Sequence, residues 1–257
     1  MIDVVESIRS AAAPFGLNLV AAVAADVYDA RVADRYRAYS IAPGAKSIVV
    51  IGNGGGAFWR AASRHAETHP GWWTRDNPLD DFTRDAIEGA VVRAADSPVR
   101  VIYPFMGDAP TLNFVELAKA AGLAGPTILG VVAHPVFGPW IAFRAALLFD
   151  VSLDSPGDAR EFDPCPTCTA RTCIAACPVS AVAYSTGWDL VKCATHRVEN
   201  EADCAPRCHA RVACVLGPEH RYPDDEFAYH QMRALGSMRR WYEENLKGKR
   251  APGKIVP

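Results

Sequence analysis

The stretch CPTCTARTCIAACP, residues 165–178, is the strongest indication of how this chain is organised. It holds four of the eight cysteines and ends in a Cys-Pro pair. The remaining four follow at Cys193, Cys204, Cys208 and Cys214, and residues 1–164 contain none. Clustered cysteines without a disulfide context favour metal or redox chemistry, because the thiolate is both a metal ligand and a nucleophile. The distribution predicts a metal-binding module attached to a cysteine-free scaffold.

The Cys-x3-Cys-Pro ending favours iron–sulfur clusters over other metal centres. In two-cluster ferredoxins the cysteine before the proline ligates the other cluster, and here Pro178 prevents the chain from folding back onto the first site. This Cys-Pro rule predicts two [4Fe–4S] clusters that together use all eight cysteines. One would take Cys165, Cys168, Cys173 and Cys214, and the other would take Cys177, Cys193, Cys204 and Cys208.

Two four-cysteine zinc sites are the alternative interpretation, since Cys165-Pro-Thr-Cys168 on its own suits zinc. The spacing also departs from the usual ferredoxin run. Four residues separate Cys168 from Cys173 where two are common, and Val215 stands where a proline is usual. His196 and His209 lie near the cysteines, and we expect them to be neighbours of the metal rather than ligands.

Composition and charge exclude some classes of function. The chain has 257 residues, 50% of them apolar, a net charge of -2 and a pI near 6.4, so no overall basic character points to nucleic acid. The N-terminus lacks the basic region of a signal peptide, and the most apolar stretch, residues 127–151, is interrupted by His134, two prolines and Arg144. We expect a cytoplasmic protein with no membrane-spanning segment.

Hydrophobic patterning predicts irregularly alternating helices and strands, which is typical of an α+β fold. The predicted strands are 17–23, 47–52, 99–103, 128–132 and 144–151. The predicted helices are 4–13, 26–38, 57–64, 80–95, 113–121 and 224–246. Gly54-Gly55-Gly56 lacks the Lys and Ser/Thr of a phosphate-binding loop, so we interpret it as a turn.

One segment carries a family resemblance. His134-Pro-Val-Phe137-Gly138-Pro-Trp140-Ile-Ala-Phe-Arg144 resembles the HP-x-FG-x-W-x-x-x-R stretch of the cobalamin-processing decyanase/dealkylase family of the cblC type. The segments VVIGN at 49–53, AFW at 57–59 and NPLD at 77–80 look like its bacterial relatives, so the likeness spans roughly residues 45–155.

A second resemblance overlaps the first. Pro43-Gly-Ala-Lys-Ser47, Asp108 and the two-cluster module resemble the cobalamin-dependent epoxyqueuosine reductases, in which the matching Asp is a proton donor beside the corrin. The match lapses after Leu123, where Ala124-Gly-Pro-Thr127 replaces that family's Gly-Lys-Asn segment, and its helical-repeat region is not found. These departures argue against a tRNA substrate.

Both resemblances imply a nitroreductase-like sandwich that holds base-off cobalamin, followed by a C-terminal ferredoxin-like module. The domains would be 1–160 for the corrinoid, 161–222 for the clusters and 223–257 for a helix with a basic tail. The corrin would be contacted by His134, Phe137, Gly138, Trp140 and Arg144, with Asp108 as the catalytic residue. Each also has an ordinary structural interpretation: the aromatics as core, His134 as a satisfied polar group and Asp108 as a helix cap.

The leading hypothesis is therefore a corrinoid reductase or decyanase that receives electrons from a flavodoxin or a reductase. Two alternatives stay open: an epoxyqueuosine reductase, and a dicluster electron carrier that binds no corrinoid. Flavin could also occupy such a sandwich, although no residue pattern marks a flavin site.

Overall fold

The computed structural model describes residues 3–96, 98–107, 110–154 and 162–247, and the chain divides into two compact units. The first unit lies within Met1–Pro126, Val132–Pro164 and Leu216–Arg221. The second lies within Thr127–Val131, Cys165–Val215 and Tyr222–Pro257. Both units are therefore assembled from separate stretches of sequence, and the last segment of the first unit follows the last cysteine.

The first unit is built on a four-stranded antiparallel sheet with the strand order β1-β2-β4-β3. The strands are β1 (Leu19–Ala24), β2 (Ser47–Gly54), β3 (Arg100–Ile102) and β4 (Ile141–Phe149). Every residue of β2 is buried, because β1 and β4 pair with its two edges and side chains cover both faces. The register between β2 and β4 shifts between Ile51 and Gly52, where a bulge interrupts the ladder.

Helices cover the sheet of the first unit. They are α1 (Val4–Ala12), α2 (Ala25–Asp29), α3 (Ala38–Ile41), α4 (Ala57–Glu67), α5 (Pro78–Ala86), α6 (Val92–Ala94) and α7 (Phe114–Ala120). A π-helical turn, Ile87–Val91, joins α5 to α6. On one face Ile48, Val50 and Leu148 pack in a core with Tyr28 and Leu117. Helices α1, α4 and α5 contact β1, β2 and β4, respectively.

The second unit consists of short elements and one long helix. They are α8 (Thr172–Ala175), β5 (Val182–Ala183), β6 (Gly187–Trp188), α9 (Leu190–Glu199), α10 (Glu201–Cys204), α11 (His209–Val212) and α12 (Asp224–Asn245). Helix α12 packs against α9, and α11 packs against α8. No described helix of the protein has the apolar length that a membrane crossing demands.

The prediction of an α+β fold is confirmed, and strands β1, β2 and β4 lie close to their predicted positions. The predicted strand 128–132 is wrong. This segment is a turn in which Thr127 Oγ1 accepts a hydrogen bond from Leu129 N at 3.1 Å and Gly130 has a φ of 75°. A ladder has no place for a residue at positive φ, so the chain turns instead.

The single helix predicted over 26–38 is also wrong, because the chain breaks it after Asp29. The Asp29 carboxylate accepts hydrogen bonds from Ala38 N at 2.6 Å and Tyr39 N at 3.3 Å. Such a side chain satisfies the first amides of a new helix and competes with continuation of the old one. Helix α3 therefore starts afresh at Ala38.

The Tyr28 hydroxyl links three segments of the first unit, and we predict that Tyr28→Phe lowers the free energy of unfolding by about 1–3 kcal/mol. The hydroxyl donates to Tyr36 O at 2.9 Å and accepts from Asn113 N at 2.8 Å, and Tyr28 is fully buried. Its removal leaves two backbone groups without their partner. Urea denaturation followed by circular dichroism measures the change, and Tyr39→Phe, at a side chain that is 67% exposed, is the control. Equal losses in the two variants would contradict the prediction.

Candidate functional site

The cysteines of the second unit lie in two groups of four. In the first group, burial raises the pKa of Cys173, and its neighbours Cys214, Cys165 and Cys168 raise it further. Cys173 and Cys214 are buried, whereas Cys165 and Cys168 are partly exposed. The structure therefore brings together the four residues that the Cys-Pro rule assigns to one cluster.

The second group surrounds a cavity of about 370 Å³ that is lined by Cys177, Cys193, Cys204 and Cys208. Burial raises the pKa of Cys204 to about 12, with further contributions from Asp203 and then from the other three thiols of the group. A buried cluster of thiols resists losing its protons in the absence of a cation, because the thiolates would repel one another. A bound metal centre removes that cost.

Short elements position the second group. Cys193 lies on α9, which begins at Asp189, whose side chain accepts a hydrogen bond from Lys192 N at 3.0 Å. Cys177 Sγ accepts a hydrogen bond from Ala181 N at 3.2 Å, and the Trp188 side chain donates one to Cys193. Hydrogen bonds to cluster sulfurs orient the ligands and tune the centre that they hold.

Three polar side chains border the second group. Asp203 accepts hydrogen bonds from His196 Nε2 at 2.9 Å and from His209 Nε2 at 3.2 Å, and these bonds hold the pKa of Asp203 below its usual value. His196, Asp203 and Cys204 offer ligand atoms within 4.8 Å of one another. Both histidines are thus paired with a carboxylate beside the cysteines, and the sequence analysis did not identify Asp203.

In the first unit, residues 134–138 form a tight loop. His134 N donates to Gly138 O at 2.8 Å, and Gly138 N donates to His134 O at 2.9 Å. The His134 ring accepts hydrogen bonds on Nδ1 from Val136 N and Phe137 N, at 3.0 and 3.2 Å. Its remaining proton therefore lies on Nε2, and the ring is neutral.

The segment Leu216–Arg221 packs against this loop within the first unit. The Phe137 ring lies 4.7 Å from the His220 ring, centroid to centroid. Gly138 has a φ of 57°, and a Cβ atom there would stand 2.1 Å from Leu216 O. Only glycine fits at this position, because both the backbone angle and the close approach exclude a side chain.

Trp140 and Arg144, by contrast, are interior residues. Trp140 is fully buried, and its carbonyl oxygen accepts a hydrogen bond from Gly55 N at 2.8 Å. The Arg144 guanidinium donates from Nε to Asn53 Oδ1 at 2.8 Å and stacks over the Phe58 ring at 4.4 Å. Within the described parts of the chain, Asn53 Nδ2 is buried without a hydrogen-bond partner.

Of the five predicted corrin contacts, His134 and Phe137 retain partial exposure. The predicted catalytic residue, Asp108, lies outside the described residues.

Comparisons with known proteins bear on the fold. No family model and no curated protein sequence matches this chain. Among solved structures, the chain is similar to the C. elegans B12-trafficking protein CblC, a human MMACHC homologue, with 14% identity and a TM-score of 0.57 over 95% of this chain and 98% of that one.

Two further solved structures share the fold. Epoxyqueuosine reductase from Bacillus subtilis is 15% identical, with a TM-score of 0.51 over 85% of this chain and 66% of that one. The catabolic reductive dehalogenase NpRdhA is 16% identical, with a TM-score of 0.50 over 95% of this chain and 36% of that one. The predicted resemblance to the CblC and epoxyqueuosine reductase families is confirmed as a likeness of fold.

The half-buried ring of His134 makes stability depend on pH. Burial, and then the charge of His220, lower the pKa of His134 from 6.5. The folded chain thus binds fewer protons here than the unfolded chain, and its stability falls as the pH drops from 6.5 towards the lower folded pKa.

We predict that His134→Asn loses less stability than the wild type between about pH 8 and pH 5, because the Asn oxygen can still accept from the Val136 and Phe137 amides but does not titrate. Urea denaturation at a series of pH values measures the difference. Carboxylates titrate alike in both proteins and cancel in the comparison. Parallel stability curves would refute the role assigned to His134.

Proposed function

We propose that this chain is a corrinoid-binding iron–sulfur protein that delivers single electrons to cobalamin and thereby reduces, decyanates or dealkylates it. The second unit would be a ferredoxin-like module with two [4Fe–4S] clusters, and the first a nitroreductase-like sandwich for base-off cobalamin. A flavodoxin or a reductase would supply the electrons. The observation that carries the proposal is the assembly of all eight cysteines into two groups of four.

The residues of the second unit fit the proposed clusters. Each group offers four thiols, which is the number of thiolate ligands that a [4Fe–4S] cluster takes. One apolar cluster includes Cys173 of the first group and Cys177 and Cys208 of the second, together with Val182 and Ala210. Two centres held in this way would be close enough within one unit for electrons to pass from one to the other.

The corrinoid part of the proposal depends on the segment 134–144 and on the shared fold. When bound, the clusters supply single electrons and cobalamin supplies a cobalt ion whose upper axial bond weakens on reduction. His134 and Phe137 would contact the corrin. Gly138, Trp140 and Arg144 would position those two residues from the interior, because their side chains or backbone are buried. The Nδ2 group of Asn53, which is buried without an acceptor in the described ranges, is a further donor on the same side chain that accepts from Arg144.

The grouping of the cysteines leads to a prediction of iron content. We expect about eight iron atoms per chain in protein purified without oxygen, and about half of that in Cys193→Ala and in Cys173→Ala. Combining Cys193→Ala with Cys177→Ala should remove no further iron, because both residues serve one cluster. Combining Cys193→Ala with Cys173→Ala should remove nearly all of it.

Iron, sulfide and zinc analysis of these variants measures the outcome. A different pattern of losses would overturn the pairing, and stoichiometric zinc in place of iron would overturn the cluster proposal itself.

Binding of a corrinoid is the second prediction of the proposal. Hydroxocobalamin should shift its visible spectrum to that of a base-off form on adding the protein, and cyanocobalamin should release cyanide when the clusters are reduced. Phe137→Ala should weaken binding tenfold or more, about 1.4 kcal/mol, because it removes an apolar contact of the corrin. Val27→Ala, at an exposed side chain of the same unit, is the control.

A protein that holds iron but gives no response to any corrinoid would be a dicluster electron carrier instead. Activity on an epoxyqueuosine-containing tRNA that is abolished by Asp108→Asn would favour the epoxyqueuosine reductase alternative.

A further inference from the structure

A buried arginine lies beside the second group of cysteines. Arg197 is 8% exposed and follows Cys193 by one turn of α9, so both side chains project from the same face of the helix. It lines the cavity formed by Cys177, Cys193, Cys204 and Cys208. A charged guanidinium is costly to bury, and proteins retain one only where hydrogen bonds and a counter-charge compensate for the lost water.

The hydrogen bonds of Arg197 compensate only in part. Nη2 donates to Ala205 O at 3.1 Å and to Gln231 O at 2.9 Å, and Nη1 lies 3.9 Å from Met238 Sδ. Among the described residues, Nε is buried without an acceptor. The carbonyl oxygens hold the guanidinium in place but carry no full charge.

The expected counter-charge is also missing from the described carboxylates. None of the ion pairs formed by Asp and Glu side chains in the described ranges includes Arg197. The thiol of Cys193, one helical turn before Arg197, is an acidic group on which this charge acts. Burial raises the pKa of Cys193, whereas a hydrogen bond from Trp188 and the charge of Arg197 oppose that rise. The positive charge of Arg197 thus acts on the cysteine group.

We propose that Arg197 is the counter-charge of the cluster held by Cys177, Cys193, Cys204 and Cys208, and that it raises the reduction potential of this cluster above that of the other. This inference rests on the proposed function. Each electron that enters a thiolate-ligated cluster adds one negative charge, and a fixed buried cation favours the more negative state.

Arg197 is the one buried arginine or lysine among the described residues of the second unit. Arg211, three residues before Cys214 of the first group, is half-buried, and its guanidinium lies over the rings of Tyr222 and Phe227. Arg171, which donates to Cys168 O at 3.3 Å, is exposed and lies over the Tyr184 ring. Water screens such a charge strongly. The two clusters should therefore differ in potential, and the electron should reside on the second one.

A purely structural role is the competing explanation, since Arg197 also connects α9 to Ala205 and α12. The reduction potentials separate the two roles. An arginine that only connects these elements, with no electrostatic effect, would leave both potentials unchanged. The experiment is a potentiometric titration of the whole protein, purified without oxygen, with the reduced clusters followed by electron paramagnetic resonance. Arg197→Gln removes the charge, Arg197→Lys retains it, and Arg240→Gln removes an exposed charge from the same unit as the matched control.

In protein with full iron content, Arg197→Gln should lower one of the two midpoint potentials. The equilibrium constant for reduction of that cluster should fall at least tenfold, which is about 59 mV for one electron. Arg197→Lys should shift the same midpoint less, and Arg240→Gln should shift neither. Two unchanged midpoints in an iron-loaded Arg197→Gln protein would overturn the inference. Absence of iron from the wild type would instead overturn the proposed function.

If Arg197→Gln does not retain its iron, a second measurement decides. In Cys193→Ser, the titration wave that moves or disappears belongs to the cluster beside Arg197. The inference requires this to be the wave of higher potential in the wild type. Assignment to the lower wave would overturn it.

Discussion

The second unit depends on bringing eight thiol groups together. Helices α8, α10 and α11 have four residues each, far below the length of about 12–15 residues at which an isolated helix becomes stable in water. The buried apolar cluster that includes cysteines of both groups consists of Cys173, Val182 and Ala210, with half-buried neighbours that include Cys177 and Cys208. With the proposed clusters bound, much of the free energy of metal binding would be folding free energy, because ligation would order elements that are too short to be stable alone. The same thiols, without a metal, repel one another as soon as they ionise.

This constraint also explains why consecutive cysteines serve different groups. Cys173 lies on α8 and belongs to the first group, while Cys177 follows the helix and belongs to the second. The chain therefore passes from the first group to the second through one short helix. Ile174, which lies between Cys173 and Cys177 in the sequence, packs against the apolar cluster that both groups share. With the two clusters proposed above, the same crossing of the chain would place two redox centres within one unit.

Much of this could be predicted from the sequence, because local chemistry decides it. The Cys-Pro rule depends on a rigid φ angle next to a ligand, and the structure assembles the same two sets of four cysteines, although ligation stays a prediction. The buried strand β2 is evident from its β-branched residues.

The features that could not be predicted depend on contacts between residues that are distant in the sequence. Trp140 and Arg144 lie in the interior because of partners such as Phe58 and Asn53, which the linear pattern does not place. Helix α9 was missed because its inward face carries a cysteine and an arginine instead of an apolar stripe, although the Cys193-x3-Arg197 spacing was a usable signal.

The order in which the two units can form follows from the position of Leu216–Arg221. Strand β4 pairs with both β2 and β3, so the sheet cannot close before residue 149 has been synthesised. The loop at 134–138 gains its packing partners, Leu216, Gly217 and His220, only after the last cysteine has emerged. During vectorial synthesis, all eight cysteines are therefore made before the first unit has its full sequence. A chain that ended at Cys214 would contain every cysteine and yet lack the segment that packs against Phe137.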